Sequence, residues 1–331
     1  MQQLRQWLHQ LPQHWAKTSA VTYLLWPFEF LYSLAWAVRR TLYASGFIGT
    51  HKIEATVIVV GNVVAGGGGK TPLTMALVDH LKQQEFKVGV VSRGFGRASD
   101  EIQTVTELST PDQVGDEPLL IFKKCKVPVT VGSDRVKAAQ QLLQEHPDIK
   151  VIVCDDGLQH WALQRDIEIC VMDAMGIGNG HLLPAGPLRE HWPRQVDLLL
   201  HTQSKNLAEG FASTRNLNSV IINGHGNTLN LAALQHQPIE VVCGIAKPEA
   251  FKAMLLDQGL QIEHFTALPD HDEFQHWRAQ NSELPLLCTE KDAVKIWRNH
   301  PSAYAVVLNF APENSFWNAF DRLFKARHRY H

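Results

Sequence analysis

A P-loop-type α/β fold, a mostly parallel sheet flanked by helices with a second, smaller α/β lobe and an N-terminal membrane-associated helix, is what the sequence predicts. Three observations predict it. Short apolar, β-branched runs alternate with amphipathic helical stretches from residue 55 onward. A glycine-rich loop joins the first run to the first helical stretch. One long aromatic and apolar segment precedes them all. At 331 residues the chain can bury two cores. The expected organisation is an N-terminal helical segment over 1–50, a nucleotide-type lobe over 51–205, a linker over 206–237 and a C-terminal α/β lobe over 238–331.

The first segment is basic and aromatic. Residues 1–52 carry Arg5, Lys17, Arg39, Arg40 and Lys52 against the single acid Glu29, and they hold Trp7, Trp15, Trp26 and Trp36. As a helix, residues 20–38 would be about 28 Å long, close to one hydrocarbon thickness. Thr22, Glu29 and Ser33, continuing toward Arg40, form a narrow polar stripe, while Leu24, Leu25, Phe28, Leu31, Tyr32 and Ala35 cover the other side. Glu29 is costly at a bilayer centre, and Pro27 interrupts or starts the helix. The pattern therefore favours a helix lying in the membrane surface over a full span or an apolar helix packed on its own domain.

Strands are expected at 55–60 and 87–91 around a helix at 72–84, then at 127–131, 150–154, 167–172 and 196–200, with a helix at 134–145. The second lobe is expected to hold strands at 239–243, 286–288 and 304–309, a helix after Pro248 and another over 292–298. With 31 Lys+Arg against 33 Asp+Glu, the net charge of -2 gives no global reason to bind nucleic acid. Five scattered cysteines without a C-x-x-C pair read as reduced thiols of a cytosolic protein, and no secretory pattern argues for export.

The sharpest chemical signal is Val64-Ala65-Gly66-Gly67-Gly68-Gly69-Lys70-Thr71, after a strand and before a helix. Small residues let successive N–H groups close around a phosphate chain. The helix terminus adds positive potential, Lys70 reaches the terminal phosphates and Thr71 can ligate Mg²⁺. Val64 stands where the G-x-x-x-x-G-K-[ST] pattern has its first glycine, so the loop must enter with β-type backbone. ATP and Mg²⁺ are the implied cofactors. The apolar run ending in Asp155-Asp156 supplies carboxylates where a second metal-handling element belongs.

Asp116 and Glu117, in Gly115-Asp116-Glu117-Pro118, stand at a loop-to-helix turn suited to a proton acceptor. Arg135, Arg189 and Lys291 are candidates for neutralising phosphate charge, and Ser92-Arg93-Gly94-Phe95-Gly96-Arg97 is a second glycine-bearing loop at a strand end. Thr289-Glu290-Lys291-Asp292 mimics a guanine-reading N-K-x-D element with its lysine one position late, which disfavours GTP.

Gly61-Asn62, the glycine loop, Ser92-Arg93-Gly94, residues 115–118, Asp155-Asp156-Gly157-Leu158-Gln159-His160, residues 183–190 and residues 289–292 stand in one order along almost the whole chain. That series resembles the tetraacyldisaccharide 4'-kinases. The resemblance implies transfer of the ATP γ-phosphate to the 4'-hydroxyl of a tetraacylated glucosamine disaccharide 1-phosphate in lipid A biosynthesis. It implies work at the cytoplasmic face of the bacterial inner membrane, as a peripheral or monotopic protein needing no protein partner. Lys70 and Thr71 match the phosphate and Mg²⁺ residues, Asp156 the metal carboxylate, Asp116 the base, and His271 its partner. Glu117, Arg135, His160 and Arg189 are expected on the substrate and phosphate side. Asp272 stands where the family often has a second histidine. The competing reading is a membrane-anchored P-loop ATPase acting on a protein partner.

Overall fold

The computed structural model describes residues 14–66, 68–202, 209–245, 247–270 and 272–328. Helix α1 (Ala20–Ala44) comes first. The chain then forms β1 (Thr56–Gly61), α2 (Lys70–Gln83), β2 (Val88–Ser92), β3 (Gln103–Thr104), α3 (Pro111–Val114), α4 (Asp116–Cys125) and β4 (Val129–Val131). It continues through α5 (Arg135–Glu145), β5 (Val151–Asp155), β6 (Ile167–Met172), β7 (Leu198–His201) and β8 (Phe211–Leu217). A second group consists of β9 (Val220–Asn223), β10 (Thr228–Asn230), β11 (Pro238–Cys243), α6 (Pro248–Asp257), β12 (Gln261–Ala267), β13 (Leu286–Thr289), α7 (Glu290–Ile296) and β14 (Tyr304–Val306). The last elements are β15 (Leu308–Pro312) and α8 (Asn314–Arg327).

The larger sheet has nine strands in the order β15-β8-β7-β6-β1-β5-β2-β4-β3. Strands β8 through β4 in this order run parallel, and β15 and β3 close the two edges antiparallel. Parallel strands covered on both faces read as continuous apolar runs, and β1, β2 and β5 are buried along their whole length. Alternation then sorts each strand between two cores. Ile58 and Val60 join Leu73, Leu77 and Leu81 of α2, whereas Val57 and Val59 meet Ala138, Ala139 and Leu142 of α5. Asp134 caps α5, its carboxylate accepting the amides of Val136 and Lys137. The smaller sheet has six strands in the order β10-β9-β14-β13-β11-β12.

The structure divides the chain differently from the expected 206–237 linker and 238–331 lobe. Strand β8 joins the larger sheet beside β7. The run at 304–309, expected as one strand, is split at Val307: β14 pairs with β13 of the smaller sheet, and β15 pairs with β8 of the larger one. Helix α8 then returns to the first lobe, where Phe316, Phe320 and Phe324 are buried. Their four-residue spacing puts all three on one helical face, each worth about 1.5–3 kcal/mol of burial. The two chain crossings between the lobes lie side by side, the Asn218 amide donating to the Val307 carbonyl at 2.8 Å.

Helix α1 is turned inside out relative to an ordinary surface helix. Its polar side grips the body: Glu29 pairs with His181 Nδ1 at 2.9 Å and accepts the Leu182 amide at 2.8 Å. Tyr32 donates to the Arg189 carbonyl at 2.7 Å, and Thr22 is buried. Its apolar side faces outward, with Leu24 70% and Phe30 69% exposed beside Tyr23, Trp26, Phe28, Leu31 and Leu34. Pro27 lies within a helix that runs on through it.

Candidate active site

The phosphate-type loop is framed before it curves. Val64 is buried and makes an antiparallel bridge to Leu188, while the Ala65 amide donates to the Pro187 carbonyl and the Arg189 amide to the Val63 carbonyl, both at 2.7 Å. This short strand explains a valine where the pattern has glycine: the entry is extended backbone, and its side chain packs into the core. Asn62 Nδ2 then holds the Gly66 carbonyl at 2.8 Å. Gly69 has φ +117°, and a Cβ there would fall 2.5 Å from Thr202 Cγ2 and 2.7 Å from Arg215 Nη2. Only glycine fits that turn into α2. Gly67 and His271 lie outside the described residues.

Three charged groups converge at the mouth of this loop. Lys70 Nζ donates to the Gly66 carbonyl at 3.2 Å and lies 3.8 Å from Asp156 Oδ1. Arg189 Nη1 reaches Asp156 Oδ1 at 2.9 Å, brought there by the same segment that braces Val64. Asp156 has φ +49°, a left-handed conformation that aspartate adopts more readily than most residues with a side chain and that turns its carboxylate away from the line of the strand. Burial works against its charge, yet Lys70 and Arg189 hold its carboxyl below the ordinary range.

Asp155 is the opposite case. Full burial, then Glu117 and Asp156, push it up to about 7 against the opposing pull of Thr74 and Lys70. Its Oδ1 accepts from Thr74 Oγ1 at 2.9 Å, while Oδ2 is buried with no hydrogen-bond partner. An orphaned carboxylate oxygen beside further hard oxygens fits a divalent cation. Among the described residues no group of three or more Asp, Glu, His or Cys forms a self-contained cage. Mg²⁺ sites use one or two carboxylates and complete the shell with substrate phosphates and water, so none is needed. Thr71, Asp155 and Asp156 supply donors of the right kind, and Glu117 is the nearby carboxylate.

A cleft of about 320 Å³ opens from these carboxylates. Glu117, Asp155, Asp156, Gln159 and Arg189 line its polar end, Ser92, Arg93 and Phe95 of the second glycine loop line one side, and Tyr32, Trp36, Arg39, Trp161 and Leu183 lead out to α1. Arg39 Nη2 donates to the Gln159 carbonyl at 3.0 Å, and its guanidinium lies over Trp161 at 5.4 Å. The cleft thus joins the carboxylates that stand beside the phosphate loop to the exposed apolar helix. The roles of Tyr32, Trp36 and Trp161 had no local signature, because a lone aromatic looks the same whether it fills a core or lines a channel.

Asp116 starts α4 on the side facing the second lobe. Gly115, with φ +90°, lies against Gly94, so a Cβ there would meet Gly94 Cα at 3.0 Å. The second glycine loop thereby sets the position of this turn. Asp116 Oδ2 lies 3.0 Å from Lys295 Nζ of α7, and the lysine also meets Glu273 at 2.7 Å and the Asp272 carbonyl at 3.1 Å. Buried Lys295 was not anticipated from the sequence. The Asp272 side chain accepts the Phe274 amide at 2.7 Å and so fixes a local turn.

Arg135 and His160 stand together outside the set lining the cleft. Arg135 is buried, its Nη1 donating to the Gly132 carbonyl at 2.8 Å and its backbone amide to His160 Nε2 at 3.2 Å. Burial, and next Arg135, push the His160 imidazole down to about 4. Lys291 pairs with Asp270 at 3.0 Å, on the second lobe.

Comparison with known proteins gives one consistent answer. The family model described as tetraacyldisaccharide-1-P 4'-kinase matches residues 21–327. A tetraacyldisaccharide 4'-kinase of Acidovorax sp. (strain JS42) is 47% identical over 310 residues, covering 93% of this chain and 92% of that protein. Another of that name from Delftia acidovorans is 46% identical over 319 residues, with 95% and 94% covered. The crystal structure of LpxK from Aquifex aeolicus in complex with ATP superposes with a TM-score of 0.80 at 28% identity, covering 93% of this chain and 99% of that one.

Proposed function

The chain belongs to the tetraacyldisaccharide 4'-kinase family, and from that premise we propose how its residues transfer the γ-phosphate of ATP to the 4'-hydroxyl of the lipid disaccharide at the cytoplasmic membrane surface. The observation that carries the reading is the single cleft running from Asp155 and Asp156 to the outward-facing apolar helix α1. A lipid acceptor needs a dry phosphate site with an apolar approach to it, and an acceptor-independent ATPase needs no such approach. The polar grip of Glu29, Tyr32 and Thr22 on the body, with the apolar face outward, supports a helix embedded in one leaflet with the cleft mouth at the surface. Arg39 and Arg40 lie at the end where anionic headgroups are met.

The loop amides that follow the braced Ala65, from Gly66 to Thr71, and Lys70 hold the triphosphate, and Lys70 neutralises charge that spreads onto the transferring group. Thr71, Asp155, Asp156 and Glu117 would hold Mg²⁺, which supplies further charge neutralisation at the phosphates when bound. Arg189 keeps Asp156 ionised and aimed into the site, and lies on the acceptor side of it. Asp116 accepts the proton of the 4'-hydroxyl, held in place by Lys295 and, as the resemblance implies, by His271. Arg135 and His160 stand outside the cleft lining and bond to each other, and the positive charge of Arg135 adds to the field that keeps Asp156 ionised.

The test is labelled γ-phosphate transfer from ATP to the lipid disaccharide by purified protein, with and without acceptor. Label should appear in the lipid, with little ADP released until acceptor is added. Steady ATP hydrolysis without acceptor and an unlabelled lipid would overturn the reading.

A further inference from the structure

The second lobe sends one cation to the phosphate loop. Lys247 stands at the turn from β11 into α6. Strand β11 is where the smaller sheet reverses direction: the chain leaves it for β12 on one side and later returns to β13 on the other. Open α/β sheets bind ligands at the carboxyl edge of such a reversal. There Lys247 Nζ lies 2.5 Å from Asp173 Oδ2, its side chain 43% exposed and that of Asp173 only 4%. The same oxygen accepts the Gly68 amide at 3.3 Å, and Oδ1 accepts the Met175 amide at 2.9 Å.

An amide of the phosphate loop is therefore occupied by an internal anion. Arg215 of β8 completes the surroundings. Its guanidinium lies behind Gly68 and Gly69, held over the Phe310 ring at 5.8 Å, and its Nε and Nη2 have no acceptor among the described residues. Lys70, Lys247 and Arg215 thus surround a loop where Asp173 and Asp156 are the near anions, and a polyphosphate brings several more negative oxygens of the same hydrogen-bonding kind.

We propose that Asp173 holds the place of a nucleotide phosphate, and that Lys247 passes from Asp173 to the triphosphate when nucleotide enters, making it a nucleotide-binding residue contributed by the second lobe. The inference rests on the assignment of residues 64–71 as the ATP loop. The carboxylate and the phosphate compete for the Gly68 amide and for the lysine, so removing each partner shifts affinity in opposite directions.

The experiment is equilibrium titration of the full chain with a non-hydrolysable ATP analogue plus Mg²⁺, and with AMP, for wild type, Asp173→Asn, Lys247→Met and Lys247→Arg. Lys247→Met should weaken the triphosphate analogue about tenfold or more, as expected for a lost charge-assisted bond, and leave AMP unchanged. Lys247→Arg should stay near wild type, and Asp173→Asn should bind several-fold more tightly. If Lys247→Met binds as wild type does, or tightens in step with Asp173→Asn, the ion pair is only a staple between lobes and the proposal fails. A folded Asp173→Asn protein that binds more weakly also overturns it, and if that variant does not fold, the exposed Lys247 decides alone. Loss of affinity in wild type itself would instead remove the ATP-loop assignment.

Discussion

Asp155 and Asp156 are adjacent in sequence, yet their surroundings drive their carboxyls in opposite directions, because Arg189 joins Lys70 at Asp156 while full burial, Glu117 and Asp156 outweigh Lys70 at Asp155. The doublet was legible as two carboxylates at a strand end because a strand end and two acids are local signals. The split between them was not, since Arg189 approaches from 33 residues away. Lys70→Ala should lower kcat at saturating ATP by about a hundredfold or more, the usual cost of one electrostatic donor, in the lipid-phosphorylation assay. Asp116→Asn should lower kcat about a hundredfold with the ATP KM nearly unchanged, and a raised KM with intact single-turnover chemistry would reassign Asp116 to binding. Its partner Lys295, 179 residues distant, illustrates what a linear reading misses: a lone lysine in an amphipathic helix carries no mark of burial. His160 permits a pH test. Its folded value of about 4 against an ordinary 6.5 means the unfolded chain binds the extra proton, so its contribution to stability is full above pH 6.5 and lost as pH falls toward about 4. The melting temperature of His160→Gln should therefore fall less steeply than that of wild type across that window.

At the scale of elements, periodicity located β1, α2, β2, α5, β5 and β6 well, because parallel buried strands and four-residue leucine spacing are strong patterns. It failed at 304–309, where an unbroken β-type run hides a change of sheet at Val307, a choice made by the partners β13 and β8 rather than by the run itself. Helix α1 was read as amphipathic with a polar stripe, and that stripe is the side that holds the protein, but Leu25 and Tyr32, read onto the other side, belong to the gripping side: Leu25 is buried and Tyr32 bonds the Arg189 carbonyl. Replacing Trp26 and Phe30, both exposed on the opposite side, by glutamate should abolish co-sedimentation with anionic phospholipid vesicles while leaving affinity for the ATP analogue unchanged. Retained co-sedimentation would place the membrane contact elsewhere. In α8, Phe320→Ala should cost about 3–5 kcal/mol in urea unfolding, the range for emptying a buried phenylalanine site.

Over the whole molecule, two lobes are joined by two adjacent crossings, and the second lobe is in effect an insertion between β8 and β15 of the first. Composition and length pointed to two cores, but they carry no information on which lobe the last residues complete. Phe316, Phe320 and Phe324 fill the larger core from the far end of the chain. A ribosome making this protein therefore releases α1 and the strands of the larger sheet well before α8, the helix that seals one face of that sheet. Between those moments the nascent nucleotide lobe has an open aromatic-sized gap in its underside, so a prematurely terminated product would be a target for chaperones and proteases rather than a partly working catalyst.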